Sequence, residues 1–129
     1  MGAPKQSPQK NPMTTYALLI YRKSADPMPA DDDARALAAH RALQAESEAH
    51  KELLYVARLD ETSTARTVAR RPNSHDVTDG PFMETKEWLV GFYVLECDDD
   101  EHALSRARQL CADDHHAIEV RPITWRAPT

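Results

Sequence analysis

The chain has 129 residues, with 16 Lys and Arg against 21 Asp and Glu, for a formal net charge of −5. That is one domain's length, and its acidic balance argues against a nucleic-acid surface, which needs clustered cations. Three glycines leave no room for a glycine-rich phosphate loop, and two cysteines cannot staple a domain of this size, so a reduced, cytoplasmic setting is expected. Leu, Ile, Val and Phe together number only 22, which brings disorder into question. Nineteen alanines, a modest charge density and clear periodic segments point instead to a folded domain with a lean core.

Residues 1–12 are punctuated by Pro4, Pro8 and Pro12 and hold no apolar run. They read as a flexible tail without secretory-signal character, ahead of a domain over residues 13–129. Thr15–Tyr21 (TYALLIY) suits a short buried strand. No apolar run approaches the roughly 18 residues of a membrane helix. Asp31, Asp32 and Asp33 then open a helix that continues to about His50, their charges at the positive end of its dipole. Ala36, His40, Leu43 and Ser47 share one stripe of it, which places a histidine within the apolar face.

Leu53–Leu59 and Thr64–Arg70 read as two short strands joined by a turn over Asp60–Ser63, with Arg58, Arg66 and Arg70 on a wet face. Asn73–Gly80 is dense in turn formers and reads as a loop. Trp88–Glu96 is the strongest strand, rich in aromatic and β-branched residues. Asp98, Asp99 and Asp100 open a second helix with a stripe of Ala103, Leu104, Ala107, Leu110 and Cys111. Ile118–Trp125 is a final strand, in which Pro122 favours an edge position. This order predicts an α+β fold of ferredoxin-like type: a split βαβ arrangement with an antiparallel sheet and both helices on one face. The other sheet face has no helix left to cover it, so burial against a second copy is expected.

Asp79–Glu87 (DGPFMETKE) resembles the DGPFAETKE motif of the YCII-related, or DGPF-domain, family. Ala39-His40, Gly91-Phe92-Tyr93 and Glu119-Val120-Arg121-Pro122 match in order, so the resemblance spans about Thr15 to Trp125. It implies a ferredoxin-like domain that pairs into a dimeric α+β barrel, and it implies no known reaction. In YciI-like relatives a His and an Asp form the suggested active site, which maps here to His40 and Asp79. The family's company with extracytoplasmic-function sigma factors makes a sigma factor a candidate partner. Two departures stand out. Lys51-Glu52-Leu53-Leu54-Tyr55 replaces a glycine-rich segment, and Val90-Gly91 replaces Gly-Gly.

Each candidate also has a bland reading. Asp79-Gly80-Pro81 forms a turn in its own right, with Phe82 as a core plug. A helix-stripe histidine is commonly a packed residue at a core edge, whereas a carboxylate beside it would make a general base. His40 and Asp79 are the catalytic candidates; Arg121, Phe82 and Tyr93 are the substrate-contacting ones, with Arg121 suited to a carboxylate. Glu84, Lys86 and Glu87 read as a solvated, ion-paired stretch. Asp113, Asp114, His115 and His116 lack metal-ligand spacing, and His75 and Asp76 are isolated, so no metal and no cofactor are expected. Cys97 and Cys111 read as packing residues. The leading expectation is a small homodimeric enzyme of lyase or isomerase type acting on a small organic ligand. The alternatives are a ligand-binding or regulatory module working with a sigma factor, or a purely structural dimer.

Overall fold

The computed structural model describes residues 13–81 and 87–127. The tail reading and Phe82, Glu84 and Lys86 lie outside the described residues. Two strands set the architecture. In β1 (Thr14–Arg22), Tyr16, Leu18 and Ile20 are buried, and in β5 (Trp88–Cys97), Gly91, Tyr93, Leu95 and Cys97 are buried. This is the period of two that turns one strand face inward. The pair runs antiparallel, from Thr14 opposite Cys97 to Arg22 opposite Trp88, with a bulge between Ile20 and Tyr21. Between them β1 and β5 form the centre of a four-stranded sheet.

The sheet order is β2 (Leu53–Arg58), β5, β1, β6 (His116–Pro122), and every neighbouring pair is antiparallel. β1 and β2 therefore run parallel with β5 between them, and β5 and β6 run parallel with β1 between them. Helices α1 (Ala30–Ala49) and α2 (Asp100–Leu110) make the two crossovers. The result is the ferredoxin-like split βαβ arrangement, with Pro122 ending an edge strand where its missing N–H costs least.

The strands supply the large core side chains Tyr16, Leu18, Ile20, Tyr93 and Leu95, while the helices supply Leu43, Leu110 and the small Ala103 and Ala107. Ser47 is fully buried on α1 and satisfies its hydroxyl locally, donating to the Leu43 carbonyl at 2.6 Å. The Tyr16 hydroxyl donates to Asp100 Oδ1 at 2.5 Å, tying β1 to the start of α2. Asp99 caps α2 by accepting from the His102 N–H at 2.9 Å, whereas α1 starts after Pro29 with no side-chain cap. The α1 acidic triplet acts through its first-turn position instead.

Three details differ from the sequence reading. β2 does not form a hairpin with the following strand; it pairs with β5, and a 3-10 turn at Thr62–Thr64 leads the chain away from the sheet. β3 (Arg66–Arg71) instead pairs with β4 (Ser74–Asp79), the segment read as a loop, in a separate two-stranded sheet. Pro72 and Asn73 close that hairpin, and its apolar content is little more than the exposed, directly opposed Val68 and Val77, so the strand pattern was faint. On α2, Leu104 and Cys111 are exposed, and Arg106 occupies the buried stripe.

Arg106 is buried because its charge is met on all sides. Its Nε and Nη2 each donate at 3.0 Å to the two oxygens of the buried Glu52, and Nη1 lies 3.0 Å from Glu46 and from Gln109 Oε1. The Glu52 carboxylate, foremost, holds the Arg106 pKa above its usual value. Breaking one half of such a pair strands the other charge. Arg106→Met is therefore expected to destabilise by about 3–5 kcal/mol, and the double change Glu52→Leu, Arg106→Leu by less, in chemical denaturation. A double change as damaging as the single one would contradict this.

The α1 C-terminus carries a strained residue. Lys51 takes φ +58°, the left-handed conformation that glycine adopts most readily after a helix. Lys51→Gly is expected to raise stability by up to about 1 kcal/mol, read as a higher midpoint in thermal melts.

Candidate functional site

α1 carries His40 one turn after Ala36 and just before Leu43, over the part of the sheet where Tyr93 points inward. Tyr93 is fully buried, so its hydroxyl requires a partner. It has two. His40 Nδ1 lies 2.8 Å from Tyr93 Oη, and Gln44 Nε2 donates to the same oxygen at 3.2 Å. The His40 and Tyr93 rings are near parallel, with centroids 5.8 Å apart and 15° between planes. His40 and Gln44, four residues apart, form the i, i+4 pair that an α-helix presents on one face.

His40 is half-buried, and burial lowers its pKa below the usual 6.5. His116 and Arg58 push the same way, and Asp113 opposes them more weakly. Register explains how these groups reach His40. Arg58 is opposite Gly91, a helix-facing position, and His116 is opposite Arg22 on the same face of β1 as Ile20. His116 Nδ1 lies 3.0 and 3.1 Å from the Asp113 oxygens. Burial alone would raise the Asp113 pKa, but hydrogen bonds from His116 and the His115 backbone N–H leave it lowered. His115 Nε2 lies 2.9 Å from Asp32 Oδ2, linking the start of β6 to the first turn of α1 and lowering the Asp32 pKa. Nearby on β1, the Nε of Arg22 is buried without a hydrogen-bond partner among the described residues.

Of the candidates read from sequence, the structure brings His40 and Tyr93 into contact. Asp79 ends β4 on the separate hairpin, its side chain 95% exposed and 3.7 Å from Arg66, with no hydrogen bond to His40. Arg121 sits opposite Ala17, on the sheet face away from the helices, and Phe82 lies outside the described residues. His75 and Asp76 are also on the hairpin. Among the described residues no three His, Cys, Asp or Glu side chains are grouped to hold a metal ion. Burial pushes the Cys97 thiol up to about 12, which leaves no thiolate near neutral pH. Sequence reasoning passed over Gln44, although its spacing from His40 was a usable signal, and passed over the pairing of His116 with Asp113.

A cavity of about 610 Å³ lies elsewhere, between the ends of β1 and β5 and the 3-10 turn. Tyr21, Leu59, Trp88 and Leu89 give it apolar walls, Asp60 and Glu61 give it acidic ones, and Pro81 and Glu87 border it. His40 and Tyr93 do not line it.

The lowered His40 pKa has a measurable sign. Folding favours neutral His40, so its contribution is present above the unfolded value of about 6.5 and is lost as pH falls through the lower folded value. His40→Gln is therefore expected to flatten the decline of the melting temperature between about pH 7 and pH 5. An identical decline in both proteins would count against a neutral, buried imidazole.

Comparison with known proteins identifies the family. The family model for the YCII-related domain matches residues 14–125. An uncharacterised protein of Rhizobium meliloti is 34% identical over 117 residues, covering 88% of this chain and 94% of that relative. The chain belongs to the YCII-related domain family.

Proposed function

We propose that this protein acts as a homodimer on a small organic molecule, in a reaction of lyase or isomerase type in which His40 is the acid group. The observation that carries the reading is the state of that imidazole. One nitrogen is fixed on Tyr93 Oη at 2.8 Å, and the other has no partner among the described residues. An oriented histidine with one free nitrogen is the usual equipment of general acid–base chemistry. The orienting role that the family resemblance gives to Asp79 falls in this reading to Tyr93, since Asp79 of the same chain stands beside Arg66. A thermal-shift screen of small acids and phenols tests it. Some compounds are expected to stabilise the wild type and not His40→Ala; equal shifts in both would remove His40 from the site.

The homodimer rests on the second sheet face. Ala17, Leu19, Tyr21, Phe92 and Val94 alternate with the core residues and so point away from both helices, and Tyr55 stacks on Phe92 with centroids 6.0 Å apart. In this reading a second copy of the same face covers this surface with apolar contacts. Sedimentation at micromolar concentration is expected to give a dimer for the wild type and a monomer for Phe92→Glu. A monomeric wild type would overturn the dimer.

A further inference from the structure

We infer that Gln44 and Tyr93 are positioning residues that hold His40 as its Nε2–H tautomer, so that the site offers a proton donor to a carbonyl or carboxylate oxygen; this deepens, and rests on, the role proposed for His40. The argument is a count of protons. A tyrosine hydroxyl has one proton to give and lone pairs to receive with. The Gln44 amide nitrogen can only donate, so it occupies a lone pair of Tyr93 Oη at 3.2 Å. The hydroxyl proton then has one acceptor among the described residues, His40 Nδ1 at 2.8 Å. An accepting Nδ1 carries no proton, so in the neutral ring the proton sits on Nε2. The tautomer is thus assigned from the hydrogen-bond network.

The surroundings agree. Burial, His116 and Arg58 all disfavour the imidazolium, which would need a proton on both nitrogens. The half-buried ring keeps Nε2 open to solvent, since among the described residues the buried side-chain polar atom lacking a partner is Arg22 Nε and not a His40 nitrogen. An Nε2–H cannot take a proton from a substrate; it can donate a hydrogen bond to an oxygen that gains negative charge. Arg58, on the same face, favours that charge. The ligand class is therefore a small molecule with a carbonyl or carboxylate oxygen, and an amine is disfavoured.

Gln44 is the element that sets the direction of the chain. Gln44→Glu places an acceptor-only carboxylate beside Tyr93 Oη, which draws the hydroxyl proton away from His40. Nδ1 must then donate to Tyr93 Oη, and the tautomer reverses. Long-range proton–nitrogen NMR of the imidazoles in the 15N-labelled full chain, recorded above neutral pH, reads this directly. In the wild type, His40 Nδ1 is expected to be the unprotonated nitrogen and Nε2 the protonated one; in Gln44→Glu the two exchange. Acetate or pyruvate is expected to move the wild-type Nε2–H resonance, and to bind Gln44→Glu about tenfold more weakly.

A wild-type ring protonated on Nδ1 overturns the assignment, whatever the fold of the variant. An unchanged tautomer in a folded Gln44→Glu protein overturns the role of Gln44. The assigned tautomer with no response to acetate or pyruvate, or with a response to methylammonium instead, overturns the ligand class. These results are separate from failure of the functional reading itself, which shows as thermal shifts that do not depend on His40.

Discussion

The antiparallel register of β1 on β5 is the constraint on which the rest of the structure depends. It places Tyr16, Leu18 and Ile20 on the same face as Tyr93, Leu95 and Cys97, and those six residues are the strand half of the core. A slip of one residue would put the two sets on opposite faces. β2 adds to the same pair at close range. A Cβ on Gly91 would sit 2.8 Å from the Ala57 carbonyl oxygen, so this position is open only to glycine unless β2 moves. Register also creates the His40 site, because it is the inward turn of Tyr93 that puts a hydroxyl beneath α1.

A lean aliphatic core leaves other interactions to hold the layers together, and they are polar. The Tyr16–Asp100 hydrogen bond joins β1 to α2. The Glu52–Arg106 pair joins the start of β2 to α2, and Glu46 extends it to α1. Each is long in sequence and short in space, so each reports the packing of whole elements. Their cost is desolvation, offset only where every donor and acceptor is met. The Arg106 cluster meets that condition with two carboxylates and a glutamine amide. The His40 cluster differs, in that one imidazole nitrogen has no protein partner among the described residues. That contrast separates a structural polar cluster from one able to receive a ligand.

Much of this was legible in the chain itself. The alternation in TYALLIY and WLVGFYVLE follows from the pleat of a half-covered strand, and the stripe of Ala36, His40, Leu43 and Ser47 follows from the helical period. These local regularities, with the DGPF motif, determined the family, the α+β class, the split βαβ order and the position of His40 on the core side of α1. Where the pattern was weak the reading failed. The β4 strand carries one valine among polar residues, and Arg106 was left out of the α2 stripe because no periodicity encodes a carboxylate 54 positions away.

What only the tertiary structure decided is which polar groups meet. Hydrogen-bond partners depend on distances of a few tenths of an ångström between elements far apart in sequence, and no spacing rule carries that information. His40 and Tyr93 are 53 residues apart, and their contact required both the face of β5 and the seating of α1 on it. Asp79, the first residue of the strongest motif in the chain, was carried by the β3–β4 hairpin to Arg66. Residue types and their periods chose the elements and their inward faces; packing of those elements chose Tyr93 and Gln44 as the neighbours of His40.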